Sequence, residues 1–358
     1  MNPSSKEFAY LLLYHRLRDA IRQGAYPYGS RLPAKRALAE QSDVSVITVE
    51  HAYAILCEEG YVEARPRSGY FVFYRPEEYW QAAPAEEELS PLPAPRPLLQ
   101  DAFPFSVLAK AMRRVLSAMG EQLLQKSPNW GCPVLRSAIA AYLARSRGIF
   151  VRAAQIVIGS GAEYLYSLIA QLLGRERIYG LENPSYEKIH RVYEALGVTC
   201  DLLKLGGDGI RSAELARTQA SVLHVTPFCS FPSGVTASAS KRGQYLHWVE
   251  AREGFLIEDD FSSEFSLSSK SEDTLFSLAQ QQRVIYLNTF SKTIAPSLRI
   301  GYMVLPENLL LPFQQRLGFY SCTVPTFEQY VLADLLNSGD FERHINRIRR
   351  KKRQQREE

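Results

Sequence analysis

A run of proline, alanine and glutamate interrupts this chain, and no single hydrophobic core can pass through it. From Arg75 to Pro97 the sequence reads RPEEYWQAAPAEEELSPLPAPRP, with neither a helical nor a strand period. Such a composition makes a semi-rigid linker, because proline fixes its own φ and removes a backbone donor. It predicts a head over residues 1–75, a linker over 76–103 and a body over 104–358. At 46% hydrophobic and 22% charged, the 358 residues carry enough apolar mass for a real core, which excludes a wholly disordered chain, a disulfide scaffold and a collagen-like fibre. No apolar run approaches the ~18 residues of a spanning helix, and MNPSSKEFAY lacks a basic stretch followed by an apolar one. A cytoplasmic location and no membrane partner are therefore expected. Cys57, Cys132, Cys200, Cys229 and Cys322 are scattered without a C-x-x-C pair, which argues against a zinc site, and no metal is expected.

The net charge of +4 is unevenly distributed. Glu342 to Glu358 holds eight Lys/Arg against three Glu, a run that reads most simply as a solvated helix end. The first 75 residues hold ten Lys/Arg against eight Asp/Glu, a mildly basic balance compatible with nucleic-acid binding.

In the head, Tyr10, Leu13, Leu17 and Ile21 keep one helical face apolar, and Gly24 sits where that helix should stop. Pro33 can open a second helix over Ala34 to Gln41. After the turn at Asp43 and Val44, Ser45 is placed to cap a third helix whose Val49, Ala52, Tyr53 and Leu56 follow helical spacing to Gly60. Tyr61 to Ala64 and Tyr70 to Tyr74 read as two strands around Arg65-Pro66-Arg67-Ser68-Gly69. Two helices joined by a tight turn and followed by a hairpin describe a winged helix-turn-helix.

The body alternates apolar runs with helical stretches, which predicts an α/β fold with a mostly parallel sheet. Ile156-Val157-Ile158, Val222 to Val225, Phe255-Leu256-Ile257 and Val284 to Leu287 are the predicted strands, and polar clusters fall at their ends. Ligands of such sheets bind beyond the carboxyl ends of the strands. At one end Lys292 follows Thr289 and Ser291, with Arg299 seven residues on. A lysine at the rim of a buried sheet can lose its proton by desolvation and attack an aldehyde. Hydroxyls and a guanidinium suit a phosphate. At another end a buried Asp259 could keep a pyridine nitrogen protonated. At a third, Ser160-Gly161-Ala162-Glu163 lies between strand and helix, where backbone N–H groups can receive an anion. An aldehyde-bearing, phosphorylated pyridine, pyridoxal 5'-phosphate, needs that set of partners. Each piece alone has a plainer reading: a surface lysine, an exposed acidic loop, an ordinary glycine turn.

From about Tyr14 to Arg349 the sequence resembles the MocR-type regulators, in which a GntR-type winged helix-turn-helix precedes an aminotransferase-like domain of pyridoxal phosphate fold type I. In the head the resemblance rests on GSRLPAKRALAEQ and TVEHAYAILCEEGYVEARPRSGYFV. In the body it rests on FPFSVLAKAMRRVL, LRSAIAAYLARSRGI, ENPSYEKIHRVYEALG, TPFCSFPSG, IEDDFSSEF and TFSKTIAPSLRIGYMV. It implies that Lys292 bonds the cofactor's aldehyde carbon, Asp259 pairs with the ring nitrogen and Tyr186 stacks on the ring. It further implies that the backbone at Ala162 and Glu163, with Thr289, Ser291 and Arg299, holds the phosphate. In the head, Lys35, Arg36, Ser45 and Thr48 would face double-stranded DNA, with Arg67 and Gly69 in the wing.

The chain departs from the family pattern at several positions. Phe261 stands where a tyrosine usually bonds the ring oxygen, Cys229-Ser230 where His-Gln is common, Glu163 where glutamine is common, and Val46 where an arginine commonly follows the cap serine. The family also continues past the segment resembling Phe341 to Arg353 into a subdomain whose arginine clamps a substrate carboxylate; here an open cleft with poor water exclusion is expected. The resemblance implies a homodimeric regulator of transcription that responds to pyridoxal phosphate or to a small amino compound reacting with it. An aminotransferase with a vestigial DNA-binding head is the alternative, with transaminase activity expected to be weak or absent.

Overall fold

The computed structural model describes residues 9–75, 103–261, 264, 273–279 and 282–357. The chain divides into two compact units, Met1–Arg96 and Pro97–Glu358. The predicted linker, Phe103 apart, lies outside the described residues.

In the head, α1 (Ala9–Arg22) buries Leu13, Tyr14, Leu17 and Ile21 on one stripe, while α2 (Lys35–Ser42) buries Leu38 and Ala39. Helix α2 starts one residue later than the sequence suggests, because Ala34 is extended and serves as the N-cap. Asp43 turns the chain in the left-handed region, and Ser45 caps α3 (Val46–Glu58) by accepting the Thr48 N–H at 3.1 Å. Val49, Ala52, Tyr53 and Leu56 are fully buried, and the Tyr53 hydroxyl donates to the Pro33 carbonyl at 2.8 Å. The hairpin pairs β1 (Val62–Arg65) with β2 (Gly69–Val72), in register from Val62↔Val72 to Arg65↔Gly69. The strands are shifted and shortened relative to expectation for a local reason: the Tyr61 N–H closes the helix end on Leu56, and Phe73 and Tyr74 bond back to the Tyr61 carbonyl.

The body is built on one eight-stranded sheet. Its strands are β3 (Ile156–Gly159), β4 (Ile178–Asn183), β5 (Thr199–Gly206), β6 (Gly209–Ile210), β7 (Val222–Val225), β8 (Phe255–Asp259), β9 (Val284–Thr289) and β10 (Gly301–Val304), in the order β3-β10-β9-β8-β7-β4-β5-β6. The pairings from β9 through β8, β7 and β4 to β5 are parallel; β10 runs antiparallel to both its neighbours, as β6 does to β5. Strands β4, β5, β6 and β10 were not anticipated in the sequence.

Most strand residues are buried on both faces, so the strands read as continuous apolar runs. Alternate residues feed different cores. Ile156, Ile158, Tyr286, Tyr302 and Val304 pack with the helices Pro133–Arg147 and Thr326–Asn337. Val157, Ile285, Leu287 and Met303 pack with Ala162–Leu173 and Glu187–Ala195. Because β10 is antiparallel to both neighbours, β3 and β9 end on the same edge, with Gly159 and Thr289 both opposite Gly301. That row brings the Gly161 turn beside the Lys292 turn.

The cap of α3 satisfies one of the helix's free N–H groups through the Ser45 hydroxyl. Ser45→Ala should lower stability by about 1 kcal/mol, read as a lower denaturant midpoint of the head's unfolding transition with an unchanged slope.

Candidate functional site

Beyond that edge of the sheet lies a cleft of about 240 Å³. Its walls include Ala162, Glu163, Tyr186, Asp259, Thr289, Ser291 and Arg299, so seven of the eight residues expected around the cofactor share one cavity. Lys292, the eighth, is not among the lining side chains. It stands in the turn directly after β9, with Nζ 4.7 Å from the ring centre of Phe261, which does line the cleft. Crowding of its ammonium end lowers the Lys292 pKa by desolvation, and Lys352 lowers it further, while Cys229 and Glu264 oppose the shift.

Asp259 is the last residue of β8 rather than the first of a loop, and Glu258, Asp259 and Asp260 are all buried. Each has its own support. Glu258 accepts the backbone N–H groups of Leu275 and Phe276. Asp260 takes Arg147 and the Tyr286 hydroxyl, both at 2.7 Å. Asp259 accepts the Tyr166 hydroxyl on Oδ2, with His224 Nε2 at 3.6 Å from the same oxygen. Its other oxygen, Oδ1, is buried without a hydrogen-bond partner among the described residues. Burial, then the nearby Asp259 charge, raises the Tyr166 pKa well above its ordinary value, so the phenol stays a donor. His224 is held in turn by Tyr193 at 2.9 Å. Tyr166 and His224 were not expected at the site. Tyr166 lies one helical turn after Ala162, at i+4 on the same helix, and that spacing was the available signal.

The opposite end of the cleft is built for an anion. Gly161 adopts φ +93°, and a Cβ there would lie 2.9 Å from the Arg299 guanidinium. The first N–H groups of the helix Ala162–Leu173 have no intrahelical acceptors. The Ser291 hydroxyl donates to the Leu298 carbonyl at 3.0 Å, a bond it would exchange in order to donate to an anion. Glu163 does not turn away: its carboxylate pairs with Arg299, and with Lys188 at 2.9 Å. Tyr186 meets Phe231 edge-on at 6.2 Å, forming an aromatic side wall. A bare carboxylate oxygen at one end, an aromatic wall and an anion cradle at the other fit a phosphorylated, protonated pyridine.

In the head, the expected DNA-facing residues are differently engaged. Lys35 pairs with Glu50 at 2.9 Å and lies over the Tyr70 ring. The Ser45 and Thr48 hydroxyls bond one another at 2.8 Å. Arg36 and Arg67 are exposed, Arg67 at φ +61° in the wing turn. Gly69 at φ +105° admits the Arg31 side chain against its backbone. Val46 and Ile47 are exposed on the first turn of α3, where an aliphatic surface has no local core to join.

The gntR family of bacterial regulatory proteins matches residues 9–72, and the class I and II aminotransferases match residues 97–358. The Bacillus subtilis HTH-type transcriptional regulator YdeL is 32% identical over 97% of this chain and 77% of its own length. The probable rhizopine catabolism regulatory protein MocR of Rhizobium meliloti is 30% identical over 94% of this chain and 73% of its own. The chain belongs to the MocR-type transcriptional regulators. The body of this MocR-type chain also has the aminotransferase fold. It superposes with TM-score 0.61 on the α-aminoadipate aminotransferase LysN of Thermus thermophilus, 28% identical over 69% of this chain and 64% of that one. An archaeal alanine:glyoxylate aminotransferase gives 0.63 at 25% identity over 68% of this chain. The chain spans only 62% of that aminotransferase.

Near the cleft a second carboxyl, Glu182, is buried and accepts the Ser230 hydroxyl at 2.6 Å. Burial pushes its pKa up to about 8, although the Ser230 bond and a Thr226 backbone bond work against the shift. The unfolded chain therefore releases this proton near 4.5 while the native protein keeps it until about 8. The stability it confers is complete below the lower value and is lost as pH rises through the upper one. In Glu182→Gln the melting temperature should fall less between about pH 5 and pH 8 than in the parent protein. Parallel curves would show that Glu182 does not titrate in this range.

Proposed function

We propose that this chain is a DNA-binding transcriptional regulator whose body holds pyridoxal 5'-phosphate. The reading includes a cytoplasmic homodimer, since a helix-turn-helix reads paired half-sites. The observation that carries the cofactor is the buried, unpartnered Asp259 Oδ1 at the floor of the cleft. A protonated ring nitrogen there would satisfy an acceptor that otherwise stays desolvated at a cost of about 1–3 kcal/mol. When bound, the group supplies an aldehyde and an electron-withdrawing ring that react with amines. In this reading Tyr166 and His224 fix the orientation of Asp259, Tyr186 covers the ring, and Thr289, Ser291 and Arg299 receive the phosphate. Lys292, whose pKa desolvation lowers, would supply the amine that meets the aldehyde.

A small amino compound competing with Lys292 is the effector class this chemistry selects. Its reaction would favour one arrangement of head and body over another and so change operator occupancy. In the head, the Arg36 cation would meet phosphate, and Val46 and Ile47 suit thymine methyl groups, since neither can donate a hydrogen bond to a base edge.

The aminotransferase neighbours favour a second reading, an active transaminase. Against it, Arg299 is the one arginine among the described residues lining the cleft, and Glu163 engages it. In the cofactor reading that arginine is assigned to the phosphate rather than to a substrate carboxylate.

Two measurements test the proposal. The purified chain mixed with pyridoxal phosphate should show a visible absorbance band that Lys292→Ala abolishes; equal spectra remove Lys292 from its role. In a binding assay on the chain's operator and on unrelated duplexes, Arg36→Ala should weaken both alike and reduce the salt slope by about one. Multiple turnovers with an amino acid and a keto acid would favour the transaminase reading instead.

A further inference from the structure

The anion cradle of the cleft already contains an anion. Glu163 is the second residue of the helix Ala162–Leu173, where its carboxylate is favoured by the helix dipole. It reaches Arg299 on one side and Lys188 on the other. Arg299 in turn lies against the backbone of Gly161, at the very turn that presents the first N–H groups of the helix. Burial alone would push the Glu163 carboxyl up, but Lys188 and Arg299 outweigh it and hold the group below its ordinary range, so it is ionised at neutral pH. A phosphate monoester carries about two negative charges. Two cations with one carboxylate between them leave a single positive charge to receive it.

We infer that Glu163 is a resident competitor for the phosphate subsite, so that a phosphorylated ligand must take Arg299 from this carboxylate in order to bind. The inference rests on the cofactor reading above and deepens it by naming what sets the strength of phosphate binding. The three side chains are all partly exposed, with Arg299 at 50%, Glu163 at 30% and Lys188 at 57%. Ion pairs in such surroundings are weak enough to exchange. The competitor therefore tunes affinity without closing the site. A regulator that must lose as well as gain its ligand needs an affinity poised near the ligand's working concentration, and an internal carboxylate lowers affinity without removing any donor.

The charge arithmetic gives opposite expectations for the two neighbours. Glu163→Gln keeps the shape and frees both cations, so that two positive charges meet two negative ones. Lys188→Gln leaves Glu163 to neutralise Arg299 alone. Pyridoxal phosphate is titrated into the full-length protein and its two variants, and binding is followed by absorbance and by quenching of tryptophan fluorescence. Inorganic phosphate serves as a competing probe in the same titrations. Glu163→Gln should bind both about threefold to fivefold more tightly and Lys188→Gln more weakly by about the same factor, as expected for one charge gained or lost in a partly exposed site. If the pair merely braces the helix start, both substitutions will weaken binding, and the inference is overturned. Equal affinity in the parent and Glu163→Gln also overturns it, while leaving the cofactor reading intact. Absence of binding in all three proteins overturns both.

Discussion

The site depends on placing an ionisable carboxylate inside the sheet. A carboxylate at the end of a central strand, with no water around it, is stable only with compensating donors. Asp259 has the Tyr166 hydroxyl on one oxygen, with His224 close by and the other oxygen bare. Tyr166 comes from the helix that also begins the anion cradle, so the donor that holds the carboxylate and the turn that receives an anion belong to one rigid element. Tyr193 secures His224 from a second helix packed on the same face of the sheet. The two ends of the cleft are thereby fixed at a set separation.

Much of this was legible in the sequence. Runs such as Ile156-Val157-Ile158 and Val284 to Leu287 announce buried strands because both faces of the sheet are covered, and the polar clusters that follow them lie along the cleft. The head was legible almost to the residue, since its core is made by local helical spacing and a serine cap. What was not legible depends on long-range pairing. Strand β10 is short and begins with a glycine, and only its partners on either side make it a strand. Tyr166 meets Asp259 across 93 residues of chain, and Arg114 meets Asp334 across 220. The apolar pattern of a helix does not reveal which of its tyrosines will find a carboxylate.

Charge in both units is handled in the same way. Lys35 is paired with Glu50, and Arg299 with Glu163, so two cations that sequence motifs assign to an anionic ligand are already engaged by acids of the chain itself. Exposed pairs of this kind contribute about 0–1 kcal/mol, which makes them poor stabilisers and easily exchanged partners. The buried pair of Arg147 and Asp260 is different in kind: both side chains are almost wholly withdrawn from water, and removing either would strand the other. The surface pairs are open to exchange, whereas the buried pair belongs to the scaffold.

The antiparallel strand β10 has a kinetic consequence. It seats Gly301 between Gly159 and Thr289, so the anion turn and the lysine turn become neighbours only when segments more than 140 residues apart in the chain are joined. Closing so long a loop is entropically slow, and contacts of this separation delay folding. Helices and the local parallel pairs can assemble beforehand, but the pocket itself is among the last features to exist. A chain synthesised only as far as β9 therefore lacks the strand that joins the two turns.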